Sequence, residues 1–323
     1  MRMDEKPVVV VSKCLGFAPC RYNGVTIPSE FVEKLAPFVR YVPVCPEVEI
    51  GLGVPREPIR VVKHKNMLRL VQPATGLDVT EKMEHFASAF LVAQQGRVHG
   101  FILKGRSPSC GIKDTKIFAG TDNAAVSHKG SGIFGAAVLA RFGHLPVEDE
   151  GRLSNFRIRE HFLTHLFATA RFHEVRTEGK MGRLVDYHSQ HKLLLMGYSQ
   201  KHLRAMGRLV ANPEHKPLAQ LLDEYERLLH AALARPARPS AMINVFMHAL
   251  GYFSSQLGAR EKAFFLDTLS QFREKRVPLS VPLALLKSWI ARFGQPYLEP
   301  QAFLNPYPEA LVEISDSGKG RDL

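Results

Sequence analysis

The sequence predicts two architectures in one chain. The first is an α/β N-terminal domain over 1–148, with a mostly parallel sheet and helices on both faces. The second is an all-α C-terminal domain over 149–323. Three observations carry this. Through 1–145 short apolar runs alternate with helical patterns, as in stacked βα units. From Ser154 onward the apolar period becomes helical and stays so. Between them lies the polar segment 147–153, and 323 residues suffice for two domains of ordinary size.

Taken in order, the apolar run 7–12 reads as a strand, followed by a glycine-containing loop over 15–27. Ser29 is placed to cap a short helix over 30–37, and a second strand spans 39–44. The stretch 46–80 holds Gly51-Leu52-Gly53 and several prolines and reads as a long irregular loop, of the kind that serves as a lid or binding loop. Thr80 or Asp78 can cap a helix running to about Gln95. The strand 101–104 leads into the turn Ser107-Pro108-Ser109-Cys110-Gly111, and glycines 120, 130 and 132 precede a helix over 133–142 that Gly143 ends. In the second half Ser154 is placed to cap a helix with Phe162, Leu166, Phe167 and Ala170 on one face. Further helices are expected over 181–196, 200–211, 217–234, 240–256, 260–275 and 281–293. Gly197, Asn212-Pro213, Pro236, Pro239 and Pro278 separate them. The polar end, 316–323, reads as disordered.

No run approaches the roughly 18 apolar residues that cross a bilayer. The charged segment 1–7 runs straight into a strand, unlike a secretory signal. Both point to the cytoplasm, where disulfides are disfavoured, so the four cysteines are expected to be ligands, catalysts or core. The net charge of +12 is unevenly spread: 1–150 carries 19 basic and 15 acidic side chains, the remainder 24 and 16. The excess is densest over 152–216, with 12 basic and 5 acidic side chains and seven histidines. Such a surface concentrates polyanions and grips nucleic acid without reading its sequence, although a merely soluble basic protein has the same composition.

Three cysteines each follow an apolar run: Cys14 after 8–11, Cys45 after 39–44 and Cys110 after 101–104. Carboxyl ends of parallel strands share one sheet edge, so residues 31 and 65 positions apart would meet in one crevice there. Each is flanked by turn-forming residues, Leu15-Gly16, Pro46 and Gly111, which let backbone bend around a bulky inorganic ligand. Three converging thiolates suit a soft metal or an iron–sulfur cluster, whereas isolated cysteines are more often small buried hydrophobes. Structural zinc favours close cysteine pairs, and the closest here, Cys14 and Cys20, has five residues between. Cys20, in the first loop, can be a fourth ligand, a site-wall residue or inert, and is read as site wall or inert.

Glu47, two residues past Cys45, can face the same crevice and move protons there. The hydroxyls of Ser107 and Ser109 can donate to a reacting atom or bond the turn backbone. Lys104, Arg106, Lys113 and Lys116 surround the same turn and suit an anionic substrate. In the helical half Tyr187 and His191 stand one turn apart, with His188 and Lys192 in parallel and Lys201, Arg204 and Arg208 on the next helix. Aromatic and basic side chains together can stack on bases and hold phosphates, so this reads as an RNA-facing surface.

The N-terminal motifs resemble the thiouracil desulfidase (TudS) family over 8–146. They are Val11-Ser12-Lys13-Cys14-Leu15-Gly16, Cys20-Arg21-Tyr22-Asn23-Gly24, Cys45-Pro46-Glu47 with Gly51-Leu52-Gly53-Val54-Pro55-Arg56, and Leu103-Lys104 with Ser107-Pro108-Ser109-Cys110-Gly111. Asn23 stands where many members carry Asp. The segments 186–192, 244–253, 282–286 and 296–308 resemble the YbgA-type domain. The fusion is similar to the tRNA 4-thiouridine desulfidases of the RudS family. That resemblance implies a [4Fe–4S] cluster held by Cys14, Cys45 and Cys110, with the open iron taking the thiocarbonyl sulfur and water attacking C4. Glu47 would then handle the proton, Ser107 or Ser109 would position base or water, and hydrosulfide would leave uridine in tRNA. Arg21, Asn23, Lys104, Arg106 and Lys116 become candidate substrate contacts in the catalytic domain. Tyr187, His188, His191, Lys192, Lys201 and Arg204 become candidate tRNA contacts in the second. Desulfuration of a free thio-nucleobase or thionucleotide, and a non-catalytic metal-binding RNA protein, are the alternatives.

Overall fold

The computed structural model describes 5–65, 67–121 and 125–313. The segment 316–323, expected to be disordered, lies outside the described residues. The chain runs β1 (Val8–Ser12), α1 (Glu30–Leu35), β2 (Arg40–Val44), α2 (Pro46–Glu49), β3 (Arg60–His64), β4 (Met67–Gln72), β5 (Leu77–Asp78), α3 (Thr80–Ala93), β6 (Gly100–Leu103), β7 (Thr115–Phe118), β8 (Val126–Gly130), α4 (Ile133–Phe142) and β9 (Val147–Asp149). Helices follow: α5 (Phe156–Glu178), α6 (Met181–Tyr198), α7 (Gln200–Ala211), α8 (Leu218–Leu233), α9 (Pro239–Gly251), α10 (Ala259–Arg273) and α11 (Ser280–Phe293). None of the described helices is long and apolar enough to cross a membrane.

Strands β2-β1-β6-β9 form an all-parallel sheet, with Val9 opposite Tyr41 on one side and Gly100 on the other. Its inner strands are apolar on both faces because both are covered. Val8, Val10, Phe101 and Leu103 join a core with Met83 and Leu91 of α3 and Phe134 and Val138 of α4. The opposite face, Val9, Val11 and Ile102, is equally buried and lies under the first half of α5, where Leu166 meets Gly100. Helices thus cover both faces, as the alternating pattern predicts.

The stretch 46–80 is a correction to the expected irregular loop. It contains α2 and the antiparallel strands β3, β4 and β5, which β7 and β8 extend into a second five-stranded sheet, order β5-β4-β3-β7-β8. Val61, Leu70 and Ile117 bury its inner face against the same core. These strands are short and charged on their outer face, so prolines and glycines dominate the local signal. The helix starts also differ. Asn155, not Ser154, caps α5: its Oδ1 accepts the backbone N–H groups of Arg157 and Ile158 at 3.1 and 3.2 Å. Ser29 makes no side-chain cap bond, and at α3 Asp78 accepts the N–H of Thr80 at 2.9 Å.

Compactness divides the chain inside α5, with Glu5–Leu166 and 310–313 in one unit and Phe167–Glu309 in the other. The second unit is built around α6, which is buried on two sides. Leu184, Tyr187 and Leu195 pack with α7 and α8, while Leu193 and Leu194 pack with α9, α10 and α11. This corrects two of the proposed RNA contacts. Tyr187 and His191 are 0% and 1% exposed, stacked ring on ring at 3.8 Å. The Tyr187 hydroxyl donates to Ala168 O at 2.9 Å, and His191 Nδ1 donates to Tyr187 O at 2.9 Å. The helical spacing that suggested a surface pair is a core pair instead.

His191 Nε2 is buried with no hydrogen-bond partner among the described residues. Burial, with the Arg171 charge nearby, depresses its pKa to about 3, and burial depresses His161 to about 4. The unfolded chain takes these protons near pH 6.5 while the folded chain does not. Stability complete at pH 7 is therefore lost as pH falls from about 6.5 towards 3, by on the order of 2 kcal/mol at pH 5 for His191 alone. Denaturant melts at pH 7 and pH 5 should show this loss, and His191→Phe should reduce it. An identical acid loss in the variant would overturn the assignment.

Candidate active site

The parallel sheet reverses its strand order at β1, with β2 on one side and β6 on the other, and crevices for ligands open at such points. The three loops leaving these strands meet there. Cys14 follows β1 in a turn closed by Leu15 N–H donating to Ser12 O at 2.9 Å, while Ile27 N–H returns to Cys14 O at 2.8 Å. Cys45 occupies the N-cap position of α2, which directs Glu47 from the first helical turn. Cys110 sits in the turn after β6, where Ser107 Oγ accepts the N–H groups of Ser109 and Cys110 at 3.3 and 3.1 Å. Helix α4 seals this turn from behind. A methyl group on Gly135 would come within 2.2 Å of Gly111 O, so only glycine lets helix and turn approach so closely.

Together these loops line a cavity of about 370 Å³, and Cys14, Cys20, Cys45 and Cys110 all face it. The four are buried free thiols. Burial pushes the Cys14 thiol up to about 11, helped by Cys45 beside it, and pushes Cys45 up to about 12. Burial raises Cys20 and Cys110 as well. Ligands with such thiols must shed protons when they take a cation. Among the described residues no three His, Cys, Asp or Glu side chains are arranged to hold a single metal ion. A multi-iron cluster makes a different demand, because each thiolate binds its own iron and the sulfurs stand apart around it. A ring of soft, buried donors on three loops suits that shape.

Beside the thiols runs a polar chain. Glu47 Oε2 accepts Arg56 Nε and Nη2 at 2.9 and 2.6 Å, and Glu47 Oε1 accepts the Ser109 hydroxyl at 2.6 Å. Ser107 Oγ lies 3.0 Å from Ser109 Oγ and donates to it, since the Ser109 proton is committed to Glu47. The two serines therefore differ: Ser107 builds the turn and Ser109 orients the carboxylate. The side chains of Arg56 and Glu47 are 4% and 12% exposed, a nearly dry ion pair. Arg56 also donates to Cys20 O at 3.0 Å and Gly53 O at 2.9 Å. Sequence reasoning missed Arg56, whose only signal was its place in the motif that follows Glu47.

Of the proposed substrate contacts, Arg21, Lys104 and Arg106 line the cavity. Lys104 is held by Glu150 in an ion pair, so it is not a free cation for substrate. Tyr22, also missed, is an exposed aromatic at the mouth with the Arg21 guanidinium 5.5 Å from its ring centre. Asn23 is exposed and lies outside the cavity lining, and Lys116 lines a neighbouring groove. In the helical unit Lys192, Lys201, Arg204 and Arg208 are exposed, whereas His188 is half-buried with Nδ1 3.1 Å from the Tyr225 hydroxyl.

Comparison with known proteins follows the same division. The model of the 2-thiouracil desulfurase family matches 9–150, and that of DUF1722, a protein family of unknown function, matches 192–308. The uncharacterized protein YbbK of Bacillus subtilis (strain 168) is 35% identical over 148 residues, 44% of this chain and 95% of its own. The uncharacterized protein YbgA of Escherichia coli (strain K12) is 28% identical over 164 residues, 50% of this chain and 96% of its own. A solved structure of the [4Fe-4S]-dependent thiouracil desulfidase TudS is 32% identical, covers 46% of this chain and 93% of its own, and superposes with a TM-score of 0.36. The chain belongs, through the domain that carries its cysteine cavity, to the 2-thiouracil desulfurase family, joined here to a DUF1722 domain.

Proposed function

We propose that the chain is a cytoplasmic desulfidase that hydrolyses 4-thiouridine in tRNA to uridine and hydrosulfide. In this reading 1–148 is catalytic, 149–323 holds tRNA, and Cys14, Cys45 and Cys110 hold a [4Fe–4S] cluster. The observation that carries it is the meeting of three strand-end thiols with the Ser109–Glu47–Arg56 chain in one cavity. When bound, the cluster supplies a Lewis-acidic iron able to polarise a thiocarbonyl.

The protein's own groups account for the rest of the exchange, in which water gives its oxygen to the carbon and the sulfur leaves with the water's protons. No electron donor is needed. Arg56 occupies Glu47 Oε2, leaving Oε1 as the atom that takes a proton from the attacking water. Ser109, donating to that same Oε1, fixes its direction, and Ser107 holds the turn that presents Ser109. The proton returns from Oε1 to the departing sulfur. Tyr22 offers a stacking face for the base, and Arg21 and Arg106 offer positive charge at the mouth for its phosphate. A stacked uridine must be exposed to enter, at roughly a few kcal/mol, which contacts remote from the cavity can offset. The stripe Lys201, Arg204 and Arg208 on α7, with Lys192 on α6, supports such contacts. A free thio-base is the second reading, favoured by the small volume of the cavity.

Anaerobic incubation of the cluster-loaded protein with bulk tRNA, followed by nucleoside analysis, should show loss of 4-thiouridine and gain of uridine. Sulfur retained in tRNA but lost from free thiouracil would select the second reading. Cys14→Ala, Cys45→Ala and Cys110→Ala should each abolish the brown absorbance of the reconstituted cluster, and Cys20→Ala should keep it. A cluster that survives any of the first three would refute the ligand set. Glu47→Gln, which keeps an oxygen for Arg56 to donate to, should keep the cluster and lower turnover by about 10²–10⁴-fold. Turnover near the wild-type rate would remove Glu47 from the proton path.

A further inference from the structure

We infer that the outer face of the second sheet, beside the cysteine cavity, binds the phosphate backbone of the RNA strand that carries the thiolated nucleotide. The inference rests on the tRNA reading above and adds a second RNA contact, in the catalytic half of the chain. A groove of about 460 Å³ opens there, with Arg60, Arg106, Lys116 and Lys129 along it and Asp114 as its one acidic residue. It shares Ile59, Arg106 and Pro108 with the cysteine cavity, so the two run into one another. A nucleotide seated in the cavity would leave its neighbours' phosphates over this groove.

Four further features mark it as more than a solvated charged face. Lys116 on β7 and Lys129 on β8 stand directly opposite each other in the antiparallel register. Like charges at opposed positions destabilise a strand pair, and a bound polyanion reverses the sign of that effect. Arg106, at the rim common to both openings, holds φ at +63°, a left-handed conformation unfavourable for a residue with a side chain and found where a site over-determines the backbone. The Arg60 guanidinium lies 4.8 Å from the centre of the Phe118 ring, a cation–π contact that steadies it on this face. Among the described residues none of the four basic side chains is joined to a carboxylate.

The test is Lys129→Glu in the full chain, with Lys129→Arg as the conservative partner. The Glu variant places opposite charges across β7 and β8, so thermal melting should show a fold at least as stable as wild type. Binding to 4-thiouridine tRNA, followed by fluorescence anisotropy over a salt series, should weaken by about fivefold or more and lose about 1 from the slope of log Kd against log salt. Desulfuration of free 4-thiouridine should be unchanged, and Lys129→Arg should behave as wild type. If wild type desulfurises tRNA and the Glu variant keeps its affinity and salt slope, the groove is refuted and the tRNA reading stands. If wild type binds RNA with a slope that depends on Lys129 but leaves its sulfur in place, the reading falls and the groove stands. Absence of RNA binding by wild type refutes both, and an equal loss on the free nucleoside refutes the groove.

Discussion

The buried ion pair between Arg56 and Glu47 is the constraint on which the cavity depends. Arg56 reaches the helix after β2 through Glu47, the loop after β1 through Cys20 O, and its own loop through Gly53 O. Ser109 adds the turn after β6 through the other oxygen of Glu47. One guanidinium and one carboxylate thereby tie together every segment that carries a cysteine. Removing either partner of such a pair strands a charge in a dry environment, typically at about 3–5 kcal/mol. Order among the thiols and the direction of the Glu47 carboxylate therefore come from the same contacts.

Much of this was legible in the residues. The all-parallel sheet follows from apolar runs that needed burial on both faces, and the meeting of Cys14, Cys45 and Cys110 follows from their places after strands. What periodicity could not give was the second sheet. β8 is exposed over 126–129 and carries Ser127, His128 and Lys129, so no alternation of apolar residues announces it. Arg56 was equally hidden, because its role is set by a partner nine residues away across a loop rather than by any local pattern. Ser107 and Ser109 were level in sequence and are distinguished only by which hydroxyl accepts backbone N–H groups and which meets a carboxylate.

In the helical half the same spacing that marks a surface patch marks a core. Tyr187 and His191 lie four apart, and so do His188 and Lys192, yet Tyr187 packs on Phe172 and Tyr225 with His191 stacked against it, while Lys192 reaches solvent. A polar tip that finds a backbone carbonyl, as the Tyr187 hydroxyl does, is as well satisfied inside as outside. Charge is the better guide to the outer face: Lys201, Arg204 and Arg208 recur along one side of α7 and are exposed together.

The contact of α4 with the Cys110 turn has a consequence for how a ligand enters. Gly132 N–H donates to Gly111 O at 2.8 Å, Gly135 N–H donates to Ser109 O at 2.9 Å, and neither position has room for a methyl group. Helix and turn are thus a single rigid wall with no slack to swing aside. The opposite wall, over 15–27, has no such glycine contact and is held by Ile27 N–H on Cys14 O at 2.8 Å and by Arg56, which donates to Tyr22 O at 2.8 Å and Cys20 O at 3.0 Å. Any widening of the cavity is excluded on the glycine side, which makes the direction of approach a property of two glycines on the far wall.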